Sequence, residues 1–239
     1  MKRGATFVLG LTLAAFAVPA PPAAAEPVDL LLVLSADVSR SVDAEKFKLQ
    51  RQGYAEAFAD RRVLNSITGG RYGRIAVAFV EWAGVEERIL VVDWTLIKDA
   101  ETAKQFGDRL LEAPRSFMGR TSISTGIDFA LTQLARAPFE AERKIVDVSG
   151  DGTNNSGRDV RAARDEAVAR GVTVNGLVIL SAFPLPTYPQ HTHPPGGLAN
   201  YYRDNVIGGD GAFVMTAQDF QSFGRAIINK LVKEIAEAR

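Results

Sequence analysis

The chain has 239 residues, 46% apolar and 23% charged, which is ordinary globular usage and enough length to bury one sizeable core. Its 28 Lys and Arg balance 28 Asp and Glu, so it lacks the basic excess of a protein that binds nucleic acid by neutralising phosphates. The absence of cysteine excludes disulfides, thiolate zinc sites, iron–sulfur clusters and thiol nucleophiles, and the only histidines are His191 and His193.

Residues 1–25 read as an export signal: Lys2 and Arg3, an apolar run from Ala5 through Val18, then small and proline residues ending in Ala23-Ala24-Ala25. The apolar run is shorter than the roughly 20 residues a spanning helix needs, and Pro19, Pro21 and Pro22 follow it at once, so cleavage is expected rather than anchoring. Residues 26–239 then carry 26 basic against 28 acidic side chains, because Lys2 and Arg3 leave with the signal. No later stretch is long and apolar enough to span a bilayer. The expectation is one exported domain over residues 26–239, periplasmic or secreted from a bacterium and without a transmembrane anchor, and the lack of cysteine is compatible with a periplasm.

Residues 28–36 (VDLLLVLSA) form a continuous apolar run, the pattern of a central strand buried on both faces. Across residues 43–60, Phe47, Tyr54, Ala55 and Phe58 recur at helical spacing, and Gly69-Gly70 punctuates the chain after this helix. Residues 74–82 and 88–94 read as two strands joined by a short turn, a hairpin that supplies one antiparallel edge strand. Helices are predicted over residues 99–113, stopping before Pro114, and over residues 122–135, ending before Pro138. Strands follow at residues 143–149, 172–180 and 212–216, with a helix at 157–170 between the first two and an amphipathic helix at 219–238 after the last. Residues 183–197 hold five prolines and are expected to be an extended surface loop. This alternation predicts an α/β fold, a doubly wound and mostly parallel sheet with helices on both faces. In such sheets ligands bind beyond the carboxyl ends of the strands.

At the end of the first buried strand stands Asp37-Val38-Ser39-Arg40-Ser41. Three short oxygen-bearing side chains at alternate positions converge if the backbone curls into a loop, and a hard divalent cation takes such oxygens. The same edge receives Thr121, just before a predicted helix, and Ser149-Gly150-Asp151-Gly152, just after a predicted strand. Five oxygen donors, Asp37, Ser39, Ser41, Thr121 and Asp151, are thereby delivered to one rim from three distant stretches. Taken alone, the pentapeptide reads more readily as an N-cap for the helix at Asp43, since caps are far commoner than metal sites, and only the combination with Thr121 and Asp151 reverses this.

This order of motifs resembles the von Willebrand factor type A domain with its metal-ion-dependent adhesion site (MIDAS). The stretches VDLLLVLSADVSRSVD, LQRQGYAEAF, GRIAVAFVEWAG, TSIS, KIVDVSGDGTNNSG and VNGLVI further resemble a bacterial exported family of type A-like proteins, DUF1194. The resemblance implies a fold that holds Mg²⁺ or Mn²⁺ and uses it to bind a protein partner presenting an acidic residue. It also implies that Ser39, Ser41 and Thr121 touch the metal through hydroxyls, with Asp37 and Asp151 supplying carboxylates. Two residues depart from the pattern. Arg40 stands where type A domains commonly carry Gly, and Arg120 sits beside Thr121. Either these cations weaken the metal, by about 1 kcal/mol per pair at 4 Å under water-like screening, or they point outward toward an acidic ligand.

Two other classes remain open on sequence: a Mg²⁺-dependent hydrolase or phosphotransferase with Asp37 as nucleophile, and a structural domain whose metal site has decayed. Against catalysis, phosphotransfer enzymes of this layout carry a second carboxylate two residues on, where this chain has Ser39, and no histidine is expected nearby as a base. Nucleotide-loop, dinucleotide and serine-hydrolase motifs are absent. His191-Thr192-His193 lacks a visible third ligand for Zn²⁺ or Ni²⁺ and reads as a solvated loop. Trp82 and Trp94 read as packing residues, Asn154-Asn155 as turn formers or amides near the ion, and Asp147 as a strand residue facing the interior or a neighbouring cation.

Overall fold

The computed structural model describes residues 25–236. The expected export signal, apart from Ala25, and the last residues of the expected C-terminal helix lie outside this range. The elements in chain order are β1 (Glu26–Pro27), β2 (Leu31–Asp37), α1 (Ala44–Ala59), α2 (Arg61–Thr68), β3 (Ile75–Trp82), β4 (Arg88–Ile97), α3 (Ala100–Glu112) and α4 (Ile123–Ala135). They continue with β5 (Phe139–Glu140), β6 (Lys144–Gly150), α5 (Val160–Ala169), β7 (Thr173–Ile179), α6 (Pro189–Thr192), α7 (Leu198–Asn205), β8 (Val214–Ala217) and α8 (Phe223–Ala236). Six strands form one sheet in the order β4-β3-β2-β6-β7-β8, parallel throughout except for the antiparallel β3–β4 pair. The fold class and the antiparallel edge strand are as expected.

Every residue of β2 is buried, as its unbroken apolar run requires. The two-residue period splits that run between the sheet's faces. Leu32 and Leu34 pack with Tyr54, Phe79, Phe106 and Phe223 under α1, α2, α3 and α8. Leu31 and Val33 pack with Trp82, Ile127, Val146 and Tyr202 under α4, α5 and α7. Trp82 is buried and donates its indole N–H to Ser35 Oγ at 2.9 Å, and Trp94 donates to the Gln133 carbonyl at 3.1 Å, so both are packing residues.

The helix expected at 43–60 is followed by a second one that the periodicity does not separate. Asp60 leaves helical geometry at the end of α1 (φ −68°, ψ 131°), and its carboxylate accepts from Arg62 N at 2.8 Å, capping α2. At the other end of the molecule, residues 219–222 form a capping turn rather than the first turn of α8: Ser222 N donates to Asp219 Oδ1 at 2.8 Å. The two-residue ladder between β1 and β5 leaves no signal in the sequence pattern either.

The β6–α8 interface holds a group of buried charges. Lys230 Nζ lies 2.7 Å from Asp147 Oδ1, with both side chains fully buried. The same ammonium bonds Glu234, whose Oε1 also accepts from Asn175 Nδ2 at 2.8 Å. Asp147 therefore faces the interior and pairs with a cation from α8.

Candidate functional site

β2 pairs with β3 on one side and β6 on the other, so the chain reverses its direction of winding at β2, and loops diverge at its carboxyl end. All five expected donors lie there. Asp37 is the last residue of β2, fully buried, and its Oδ1 accepts from Ser39 N at 2.7 Å. That bond curls the chain into a loop, an Asx-type turn, instead of letting the strand continue. The curl brings Ser39 Oγ to 3.3 Å from Ser41 Oγ, and Thr121 Oγ1 donates to Ser39 Oγ at 2.9 Å. Ser41 Oγ donates to Asp151 Oδ1 at 2.5 Å. The capping alternative is answered by Asp43, whose carboxylate accepts from Lys46 N at 2.9 Å and caps α1 itself, leaving both serines for the cluster.

Backbone and amide contacts brace the rim. Thr121 N donates to Asn155 Oδ1 at 3.0 Å and Asn155 N returns a bond to the Thr121 carbonyl at 2.9 Å, while Asn154 Oδ1 accepts from Ser124 N at 3.2 Å. The Asn pair thus ties the loop after β6 to the start of α4. Arg115 fixes the first loop, donating from Nη2 to the carbonyls of Val38 at 2.8 Å and Ser39 at 3.1 Å. Lys46 Nζ donates to the Ser41 carbonyl at 2.7 Å and lies 3.8 Å from Asp151 Oδ2. Sequence reasoning missed Arg115 and Lys46, because nothing local in the sequence marks a cation that reaches another loop.

The electrostatics single out the two carboxylates. Burial pushes the Asp37 carboxyl up to about 8, and the negative charge of Asp151 pushes in the same direction. Burial likewise raises Asp151, against the opposing bond from Ser41. Asp37 Oδ2 is buried and has no hydrogen-bond partner among the described residues. Tyr202 OH is also buried without such a partner, and both would lie close to a Cβ placed on Gly150. A buried carboxylate oxygen without a donor is a costly arrangement unless a cation faces it. Two carboxylates, one with an orphaned oxygen, and three hydroxyls match the all-oxygen preference of Mg²⁺ and Mn²⁺. Among the described residues no three His, Cys, Asp or Glu side chains cluster as a metal site, so the hydroxyls are indispensable to this fit.

His191 departs from the solvated loop that its sequence setting predicts. Pro189 opens the short turn α6 inside the proline-rich stretch, its fixed φ suiting a first helical position, and this carries His191 inward until it is 3% exposed. Its Nε2 lies 3.3 Å from Thr121 Oγ1 and its Nδ1 3.3 Å from Thr153 Oγ1, with the Asn155 amide 3.4 Å from the same Nδ1. A Cβ on Gly152 would come within 2.1 Å of the ring, so that glycine makes room for it. Residues 183–197 are therefore not simply an extended loop, and a histidine does stand beside the site. His193, by contrast, is exposed. Arg40 and Arg120 are also exposed.

The family model described as "Protein of unknown function (DUF1194)" matches residues 27–239. The chain belongs to this family. Among solved structures, the DUF1194 chain is similar to proximal thread matrix protein 1 (PTMP1) from the mussel byssus, at 17% identity and TM-score 0.62, over 88% of this chain and 47% of that one. It is similar to the pilus adhesin SpaC from Lactobacillus rhamnosus GG, at 15% identity and TM-score 0.59, over 88% and 31% of the two chains. It is also similar to a von Willebrand factor type A protein from Catenulispora acidiphila, at 15% identity and TM-score 0.57, over 89% and 43%. The chain spans less than half the length of each of these proteins. Such likenesses show that this chain has a type A-like fold. One structure of PTMP1 has zinc in its MIDAS motif. No curated protein matches the chain.

Proposed function

We propose that this DUF1194 protein is an exported binding protein that recognises a protein partner through a divalent cation, Mg²⁺ or Mn²⁺, at the carboxyl end of β2. The observation that carries this reading is the joining of five oxygen donors from three distant stretches into one group, buried except for the half-buried Ser41, in which Asp37 Oδ2 has no hydrogen-bond partner among the described residues. Ser39, Ser41 and Thr121 would hold the ion through hydroxyls, and Asp37 and Asp151 through carboxylates. A bound divalent cation would supply an electropositive position for an Asp or Glu carboxylate of the partner, since three of the five donors are neutral.

The remaining residues prepare the rim. Asn155 holds the Thr121 backbone and Arg115 holds the loop carbonyls of Val38 and Ser39, so the donors do not have to be ordered when the partner arrives. Recognition is favoured over catalysis because position 39 is a hydroxyl where phosphotransfer enzymes that start from an aspartate at the end of a first strand normally carry a carboxylate. Both ring nitrogens of His191 face Thr121, Thr153 and Asn155. The zinc-bearing MIDAS of PTMP1 and the pilus adhesin SpaC share this fold and support the reading.

Calorimetric titration with Mn²⁺ tests it. Wild type is expected to bind one ion, and Asp37→Ala to bind none while keeping the wild-type circular dichroism spectrum. Equal heats from the two proteins would refute the site. Hydrolysis of generic phosphate esters that depends on Asp37 would replace recognition with catalysis.

A further inference from the structure

We propose that the groove beside this site selects a partner segment carrying two acidic residues, one for the metal position and a second held by Arg40 and Arg120. The inference rests on the metal reading above and adds to it what the partner must look like. The groove has a volume of about 490 Å³ and opens against Ser41 and Thr121, with walls that include Arg40, Arg120, Asn155, Leu185, Tyr188 and His191. Among the described residues no acidic side chain lines it. Two arginines therefore share one concave surface in a chain with no net basic excess.

Some arginines of this protein are matched to carboxylates, as Arg51 is to Glu81, Arg158 to Asp128 and Glu166, and Arg161 to Asp159, while others, such as Arg109 and Arg115, bond carbonyl or hydroxyl oxygens. Arg40 and Arg120 form no ion pair among the described residues. Arg120 Nη2 donates to the Asn155 carbonyl at 3.0 Å, which steers its plane while leaving most of a guanidinium's five donors available. Such a fork is suited to a carboxylate by geometry as well as charge. The apolar walls that Leu185 and the half-exposed Tyr188 add to the groove suit a polypeptide occupant rather than a free small anion. Tyr188 stacks on the buried His191 ring at 5.9 Å and 8°, which gives the groove a flat wall.

Spacing sets the motif. Arg40 lies next to Ser39 and Ser41, and Arg120 next to Thr121, so each arginine is one residue, about 3.8 Å of backbone, from a donor. In an extended segment residues i and i+2 project to the same side about 7 Å apart. An Asp-x-Asp segment therefore presents one carboxylate to the metal position and the next to the arginines.

The test uses fluorescein-labelled, alanine-based peptides carrying Asp-x-Asp or Asp-x-Asn, titrated with the protein in Mn²⁺ and read by anisotropy, beside Mn²⁺ calorimetry on the protein alone. Asp-x-Asp is expected to bind about 5- to 30-fold more tightly, as for one or two exposed charge-assisted contacts, and the ratio should shrink at high salt. In Arg40→Ala, and in Arg40→Ala with Arg120→Gln, the ratio should fall toward one while Mn²⁺ affinity is kept or rises. Equal affinity for the two peptides, binding of neither, or a ratio that survives the double substitution overturns this inference alone when Mn²⁺ still binds. Failure of wild type to bind Mn²⁺ overturns the metal reading and this inference with it.

Discussion

Replacing Glu234 by Gln removes a charge from the buried group of Asp147, Lys230 and Glu234 while preserving its shape. Two carboxylates there face one ammonium, so the group carries an excess negative charge in an interior position. Burial first, and the neighbouring Asp147 second, push the Glu234 carboxyl up to about 7 from 4.5. The unfolded chain thus gives up this proton near pH 4.5 and the folded chain keeps it to about pH 7, so the unfolded state binds fewer protons in that window and stability falls as pH rises through it. At about 1.4 kcal/mol per pH unit, that difference amounts to about 3 kcal/mol. The substituted amide keeps an acceptor for Asn175 and Lys230 and leaves Lys230 balanced against Asp147 alone. Glu234→Gln is therefore expected to match wild type near pH 4.5 and to exceed it above pH 7 by about 1–3 kcal/mol. At about 2–4 °C per kcal/mol for a chain of this size, Tm rises by up to roughly 10 °C. Lys230→Met, which leaves two buried carboxylates without their cation, should instead lose about 3–5 kcal/mol. Differential scanning calorimetry from pH 4.5 to 8 reads all three proteins, and Asp37 and Asp151 at the distant site cancel between wild type and Glu234→Gln. A difference between these two proteins that does not change with pH, or a wild type that is the more stable above pH 7, would refute the reasoning.

The buried Arg51–Glu81 pair, held at 2.6 and 2.9 Å, makes a second case: Arg51→Ala strands Glu81 and should cost about 3–5 kcal/mol in urea denaturation, whereas Arg51→Met with Glu81→Leu should recover most of it. Gly152→Ala forces a methyl group against His191 and should cost about 1–3 kcal/mol by overpacking. Since the same ring touches Thr121 and Thr153, that substitution should also weaken Mn²⁺ binding in calorimetry, and unchanged affinity would show that the His191 turn does not support the site.

The six strands of the main sheet and the five donors are legible in the sequence because their signals are local. An apolar run such as VDLLLVLSA states its burial directly, whereas Asp, Ser and Thr at a strand end or before a helix also serve as caps, and only their combination on one rim points to the site. Features that depend on partners remote in sequence are not legible in this way. Asp147 needs Lys230, 83 positions away, before its place in a strand makes sense, and Arg115 acts on carbonyls of Val38 and Ser39 across the rim. The prolines around His191 suggest a solvated loop. Yet Pro189 starts a helical turn, and only the facing Gly152 reveals that the ring fits inward. The boundary between α1 and α2 is hidden for another reason: Asp60 both ends one helix and caps the next, and periodicity is blind to a single-residue break.

The central claim concerns one cation among Asp37, Ser39, Ser41, Thr121 and Asp151. Crystals grown with Mn²⁺ and measured for anomalous scattering test it most directly. The account predicts a single strong peak bonded to hydroxyls of Ser39, Ser41 and Thr121 and absent in Asp37→Ala crystals. A peak lodged elsewhere, or none at millimolar Mn²⁺ with the five side chains still hydrogen-bonded to one another, would contradict it.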